Sequence, residues 1–205
     1  MQLPERRFDV GRASFTPYGP GGDLESDLLL DRIIMVGDLG PAAAEAVTAN
    51  LLLLERQDGD AEVSLYVNSA GGPIDTFLAV YDAMHLVSCP IATVCIGAAR
   101  GGAALLVAAG DPGRRAALPN SRFMLHAPRA EFTGSAGDAE SVAAEARRLH
   151  TLVSGLFLKH SALNADEVEQ ALTRSRFLGA EEAQRAGIVD KVIERPPRAW
   201  RGIMK

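Results

Sequence analysis

The feature that most restricts the folds open to this chain is a regular alternation. Short apolar runs are followed by glycine-bearing turns and then by longer amphipathic stretches. RIIMVG (32–37) has the length and composition of a strand, and Pro41 then opens a helix through AAAEAVTANLLLLERQ, because proline is tolerated in a first helical turn. EVSLYVN (62–68) reads as the next strand and IDTFLAVYDAMHLV (74–87) as the next helix. IATVCIG (91–97) and GAALLVAAG (102–110) repeat the pair as a buried strand and a buried helix. The βαβαβα order predicts parallel strands joined by right-handed crossovers, and hence an α/β domain.

Two shorter strands are expected near RRAAL (114–118) and RFMLH (122–126). APRAEFTGSAGD (127–138) reads as a loop or extended arm, and a long helix follows at about 139–160. Along that helix Val142, Ala146, Leu149, Val153 and Leu156 recur at spacings of four and three, which makes one apolar stripe. Asn164 with Glu167 three residues later predicts a capping box. AEEAQRAG (180–187) reads as a short helix closed by Gly187, and IVDKVI as a final strand. Residues 1–26, with TPYGPGGD at 16–23, are expected to form a flexible arm, and 194–205 a loose tail. The folded domain is then 27–193.

The 205 residues suit one domain, and a hydrophobic share of 47% can fill a sizeable core. A formal net charge of −5 argues against a nucleic-acid partner. No run of about 18 apolar residues appears, so no membrane span is expected. MQLPERRFDVGRASF has no apolar core of the kind a secretory signal needs. Cys89 and Cys95 have neither metal-ligand spacing nor a disulfide framework. These features predict a cytoplasmic protein with inert thiols and no bound metal.

In α/β proteins the sites lie at the carboxyl ends of parallel strands. Two glycine turns fall there, NSAGGP (68–73) and GAARGG (97–102), and His126 ends a third strand. Two clusters of backbone N–H groups and one imidazole would converge on one crevice, which is the equipment for stabilising an oxyanion. The apex of the second turn holds Arg100, Gly101 and Gly102, with no Ser, Cys or Thr to attack a carbonyl.

Several blocks carry a resemblance to a known family. YVNSAGGPIDTFLAVYDAMHLV, ATVCIGAARGGAALLVAAG, LPNSRFMLHAP and RFLGAEEAQRAGIVDKVI resemble, in order and at the right distances, the motifs of the caseinolytic protease proteolytic subunits, the Clp peptidases. The resemblance covers about 28–193. It implies an α/β, crotonase-like spiral fold with a protruding handle built from a strand and a long helix, here about 127–160. It also implies a serine endopeptidase frame in which seven subunits form a ring and two rings enclose a chamber. An ATP-driven AAA+ unfoldase ring would feed unfolded polypeptide into it. The ATP belongs to that partner, and no cofactor is expected on this chain.

Matched residue by residue, the family's nucleophilic serine falls on Gly101 and its histidine on His126, 25 positions later. Its aspartate falls on Ser175, so the resemblance leaves His126 as a vestigial triad member. The two oxyanion-hole donors match Gly72 and Gly102. Without a side-chain oxygen at 101 no acyl-enzyme forms there, and without a carboxylate at 175 the imidazolium loses its counter-charge. Ser69, Ser121 and Ser175 are the serines weighed as replacements. The handle carries Arg129, Ala130 and Glu131 where the family has Leu-Gly-Gly, and Thr173 stands where an acidic partner of Arg174 is usual.

The expected function is that of a catalytically inactive subunit. It would enter rings with itself or with active paralogues as scaffold or regulator. Two alternatives stay open: an active peptidase with a relocated nucleophile, and a crotonase-type acyl-CoA enzyme. His85, His150 and His160 are expected to be exposed or structural, and Asp111, Arg114 and Arg115 to be turn and edge-strand charges. Arg100 either reaches into the site or pairs with an acid.

Overall fold

The computed structural model describes residues 24–128 and 136–194. A first helix, α1 (Leu24–Leu30), begins inside the segment read as an arm, which corrects the expected boundary; the rest of that arm lies outside the described residues. Then follow β1 (Ile33–Val36), α2 (Pro41–Gln57), β2 (Val63–Ser69), α3 (Ile74–Leu86), β3 (Ile91–Arg100) and α4 (Gly102–Ala108). The second half comprises β4 (Arg115–Ala117), β5 (Arg122–Leu125), α5 (Ala136–His160), α6 (Ala165–Arg174), β6 (Arg176–Gly179), α7 (Ala180–Arg185) and β7 (Lys191–Val192).

The strands form one sheet in the order β1-β2-β3-β4-β7, parallel throughout. This is the α/β architecture the alternation predicts. β3 is longer than expected and serves two neighbours on the same side. Thr93–Cys95 pair with β4, and Ala98–Arg100 pair with β5. Between the two pairings Ile96, Gly97 and Ala98 oppose a single residue of β2, Asn68, whose Oδ1 accepts the Ala98 N–H at 3.1 Å. Such an insertion bends the strand and increases its twist. The sheet forks there, and its outer branch carries β5 and the antiparallel β6. β6 was not foreseen, because RFLG is too short to declare a period of its own.

The core lies on the helical side of the sheet. Alternate residues of β2 (Val63, Leu65, Val67) are buried, as are Leu51 and Leu54 of α2, Phe77 of α3 and all of Ala103–Ala108 of α4. Each fully buried large aliphatic or aromatic side chain is worth about 1.5–3 kcal/mol relative to exposure. α4 is short and wholly apolar because protein surrounds it on every side. The opposite face of the sheet is left largely open, with Met35 exposed and Tyr66, Val94 and Ile96 half-buried.

α5 has 25 residues, roughly 37 Å at 1.5 Å per residue. Its apolar stripe meets the core only near its end, where Val153 and Phe157 are buried. From Asp138 to Leu152 no residue is buried. The capping box of α6 forms as its sequence predicts: Asn164 Oδ1 accepts the Glu167 N–H at 3.0 Å, and Glu167 accepts the Asn164 N–H at 2.9 Å. The arm at 129–135, with Arg129, Ala130 and Glu131, lies outside the described residues, as does the tail from 195 onward. Among the described residues no helix is long and apolar enough to cross a membrane.

Candidate active site

Two parallel neighbours deliver the site. β3 ends at Arg100 and β5 at Leu125, and Arg100 pairs with Met124. The N–H of Gly101 extends that ladder by donating to Met124 O at 2.7 Å. Gly101 then turns the chain into α4 with φ 57° and ψ −120°. An L-residue rarely visits that conformation, whereas glycine adopts it without a steric penalty. A sharp strand-to-helix turn of this kind holds a nucleophile above a sheet in many hydrolases. Here the residue at the apex of the turn is a glycine.

His126, one step beyond β5, faces this turn. A Cβ placed on Gly101 would stand 2.6 Å from His126 Nε2 and 3.0 Å from Cε1. The imidazole therefore occupies part of the space a side chain at 101 would need. Its Nδ1 lies 2.7 Å from the carbonyl of Ala127. A carbonyl only accepts, so Nδ1 carries the hydrogen and Nε2 turns a lone pair toward Gly101.

The antiparallel register pairs Leu125 with Arg176, and His126 and Ser175 are the next residues on the two segments. Ser175 caps α6 in the left-handed region at φ 54°. The imidazole N–H goes to the Ala127 carbonyl and not to the Ser175 hydroxyl. The neutral carbonyl orients the ring but supplies no charge to an imidazolium.

The first glycine turn closes the other side. Asp38 Oδ1 accepts the Ala70 N–H at 2.6 Å, Ser69 Oγ accepts the Gly71 N–H at 3.2 Å, and Leu39 donates to Gly71 O at 3.2 Å. These bonds fix the loop and leave the Gly72 N–H without a partner among the described residues; the N–H of Gly102 is likewise free. Gly72 is required by contact, since a Cβ there would lie 2.2 Å from Leu39 O. Gly72, Gly102, Arg100 and His126 line one cavity of about 340 Å3 together with apolar side chains such as Phe77 and Leu105. The two amide clusters and the imidazole thus converge in one crevice, as the pattern predicts. Arg100, left open by sequence, is exposed at this cavity and has no carboxylate partner among the described residues. Among the described residues no Asp or Glu lines it.

Ser69, Ser121 and the two thiols are engaged elsewhere. Ser69 is buried as the loop brace just described, and buried Ser121 donates to Cys95 O at 2.7 Å. Burial pushes the Cys95 thiol up to about 11, and Cys89, raised by burial and then by Glu55, donates its S–H to that carboxylate at 3.2 Å. Both thiols are inert at neutral pH.

Sequence reasoning undervalued the charges of the segment 111–115. Asp111 accepts the Ile91 N–H at 2.8 Å, and Arg114 pairs with Glu62. Arg115 is no edge charge: it grips Asp190 through Nη2 at 2.7 Å and Nε at 3.1 Å, while Nη1 donates to Ala108 O and His160 O. The histidines are structural. His150 pairs with Glu169, which also accepts from Thr173. His160 Nε2 lies 2.8 Å from Tyr81 Oη, which accepts from Lys159 at 3.2 Å. Tyr81 therefore donates to an unprotonated His160, whose pKa is held down to about 4 by burial first and then by the cations of Lys159 and Arg115.

A half-open parallel sheet, a nucleophile-type turn and paired amide donors facing a histidine define the frame of an α/β serine hydrolase. The family model for Clp protease matches residues 21–196, and the chain belongs to that family. It is a Clp-type proteolytic subunit by descent, with a mixed α/β fold of the kind its sequence blocks imply.

Proposed function

We propose that this subunit keeps the ring-forming frame of the Clp peptidases and has given up serine-dependent hydrolysis. The observation that carries the reading is the empty Cβ position of Gly101 beside His126 Nε2. His126 and the free N–H groups of Gly72 and Gly102 support this reading as a base and oxyanion donors with no nucleophile at 101 to serve. Hydrolases stripped of triad members keep roughly 10³–10⁴-fold acceleration over water, too little to sustain proteolysis. The engaged states of Ser69 and Ser121 speak against a relocated nucleophile, and a cavity with no carboxylate among its described lining residues speaks against a crotonase-type acyl-CoA enzyme.

The subunit would then act as scaffold or regulator, in rings with itself or with active paralogues, in the cytoplasm. An unfoldase would dock on such a ring and pass unfolded chains inside. The open apolar sheet face, with Met35 and Leu118 exposed, supports a surface that partners cover in an assembly. Two measurements test the reading. A fluorophosphonate probe is expected to leave the purified chain unlabelled, and a covalent adduct on any of its serines would overturn inertness. Native mass spectrometry of the chain co-expressed with an active Clp peptidase subunit should find mixed rings; two separate populations would refute shared assembly.

A further inference from the structure

The site that lacks a nucleophile is not chemically empty. Two backbone N–H groups, of Gly72 and Gly102, have no partner among the described residues and open on one cavity. Arg100, next in sequence to Gly101, lines the same cavity, and its exposed side chain has no carboxylate partner among the described residues. Unpaired donors and an unpaired cation around a small cavity form an anion site, because each gains a charge-assisted bond when an anion enters. The remaining surface is apolar: Ile74, Phe77, Leu105, Met124 and Val153 supply it. A ligand that fits must carry an anionic group directly beside an apolar side chain.

Resting on the reading that this subunit does not cut, we propose that its cavity binds a peptide carboxylate, in the first place the free C-terminal carboxylate of a chain ending in an apolar residue. One carboxylate oxygen takes the position an oxyanion would hold between Gly72 and Gly102. The other meets the Arg100 guanidinium, and the terminal side chain enters the apolar part of the cavity. Arg100 is the residue that turns an oxyanion hole into a carboxylate hole. A transient oxyanion carries one charged oxygen, whereas a carboxylate brings two, and a planar guanidinium matches the second. Peptide ends released by active neighbours in a mixed ring have this chemistry. A glutamate side chain offers the same group and is the alternative source.

The test uses the full chain and fluorescent octapeptides, with affinities read by anisotropy and the peptides recovered for mass spectrometry. One peptide ends in leucine with a free carboxylate, the second is its C-terminal amide, and the third is an amide with an internal glutamate. The free acid is expected to bind at least about ten-fold more tightly than the amide, the scale of one charge-assisted hydrogen bond. Arg100→Gln should cut that difference several-fold, the N–H donors of Gly72 and Gly102 keeping the remainder. Arg100→Lys should keep more of it, and Arg148→Gln, on the exposed face of α5, should keep all of it. Equal affinity for acid and amide, no binding of any peptide, or an acid preference undiminished by Arg100→Gln overturns the proposal. A preference for the glutamate peptide alone overturns the C-terminal assignment. Cleavage of any peptide refutes the inert reading itself, and mass spectrometry records it separately from binding.

Discussion

The Nε2 atom of His126 stands 2.6 Å from the point a Cβ on Gly101 would occupy. The imidazole therefore faces a glycine whose turn has φ 57° and ψ −120°. On the proposed reading, a serine at 101 and a carboxylate at 175 are what this frame lacks. That relationship makes restoration a direct experiment.

Gly101→Ser is expected to fold with a loss of about 1–3 kcal/mol, because a non-glycine residue must accept the strained turn and the imidazole must swing aside. The single variant should react slowly with a fluorophosphonate. Adding Ser175→Asp places a carboxylate across from His126, and aspartate tolerates the left-handed conformation at 175. The pair should label roughly a thousand-fold faster than the single variant, the scale of losing a triad acid. Identical labelling rates would show that residue 175 does not reach the ring.

Gly72→Ala tests the loop that presents the first amide donor. Its Cβ would meet the carbonyl of Leu39, a backbone atom that cannot rotate away. Chemical denaturation should show a loss of about 1–3 kcal/mol, as for an overpacked core site. An unchanged midpoint would mean that the loop has slack the geometry does not reveal.

Arg115 and Asp190 are mostly buried, with 14% and 24% of their side chains exposed. Together they tie β4, the end of α4, the end of α5 and the segment before β7. Removing one partner leaves the other charge uncompensated, so Asp190→Asn and Arg115→Leu should each cost about 3–5 kcal/mol. Arg115→Lys should rescue little, since one ammonium cannot replace a fork that serves four acceptor atoms. Near-additive losses in the double variant would argue that the two residues do not act as a pair.

His160 makes stability depend on pH. Its pKa is about 4 in the folded chain against an ordinary 6.5, so the unfolded chain binds more protons between those values. Stability is therefore expected to fall as pH drops from about 6.5 toward 4. His160→Gln, which keeps an acceptor for the Tyr81 hydroxyl, should flatten the slope in that window. An unaltered slope would assign the dependence to other groups.

The order of elements and the positions of Gly101, His126, Gly72 and Gly102 were legible because each depends on near neighbours along the chain. A strand's alternation, a capping box at Asn164 and a glycine turn are declared within a few residues. The partner of His126 Nδ1 was not legible: Ala127 O wins over Ser175 only once β5, β6 and the end of α6 are set side by side. Arg115 looked like surface charge for the same reason, since Asp190 is 75 residues away.

By itself, the sequence determined that this chain forms a parallel α/β frame and carries no oxygen at position 101. It also specified which turns present free amides, because period, capping and side-chain identity are local properties. Tertiary structure alone decided that β3 forks at Ile96–Ala98, that the imidazole settles beside Gly101, and that Arg100, without a carboxylate partner among the described residues, lines the resulting cavity. Those outcomes depend on strand pairing and packing between distant segments, and no local pattern encodes which distant atoms will meet.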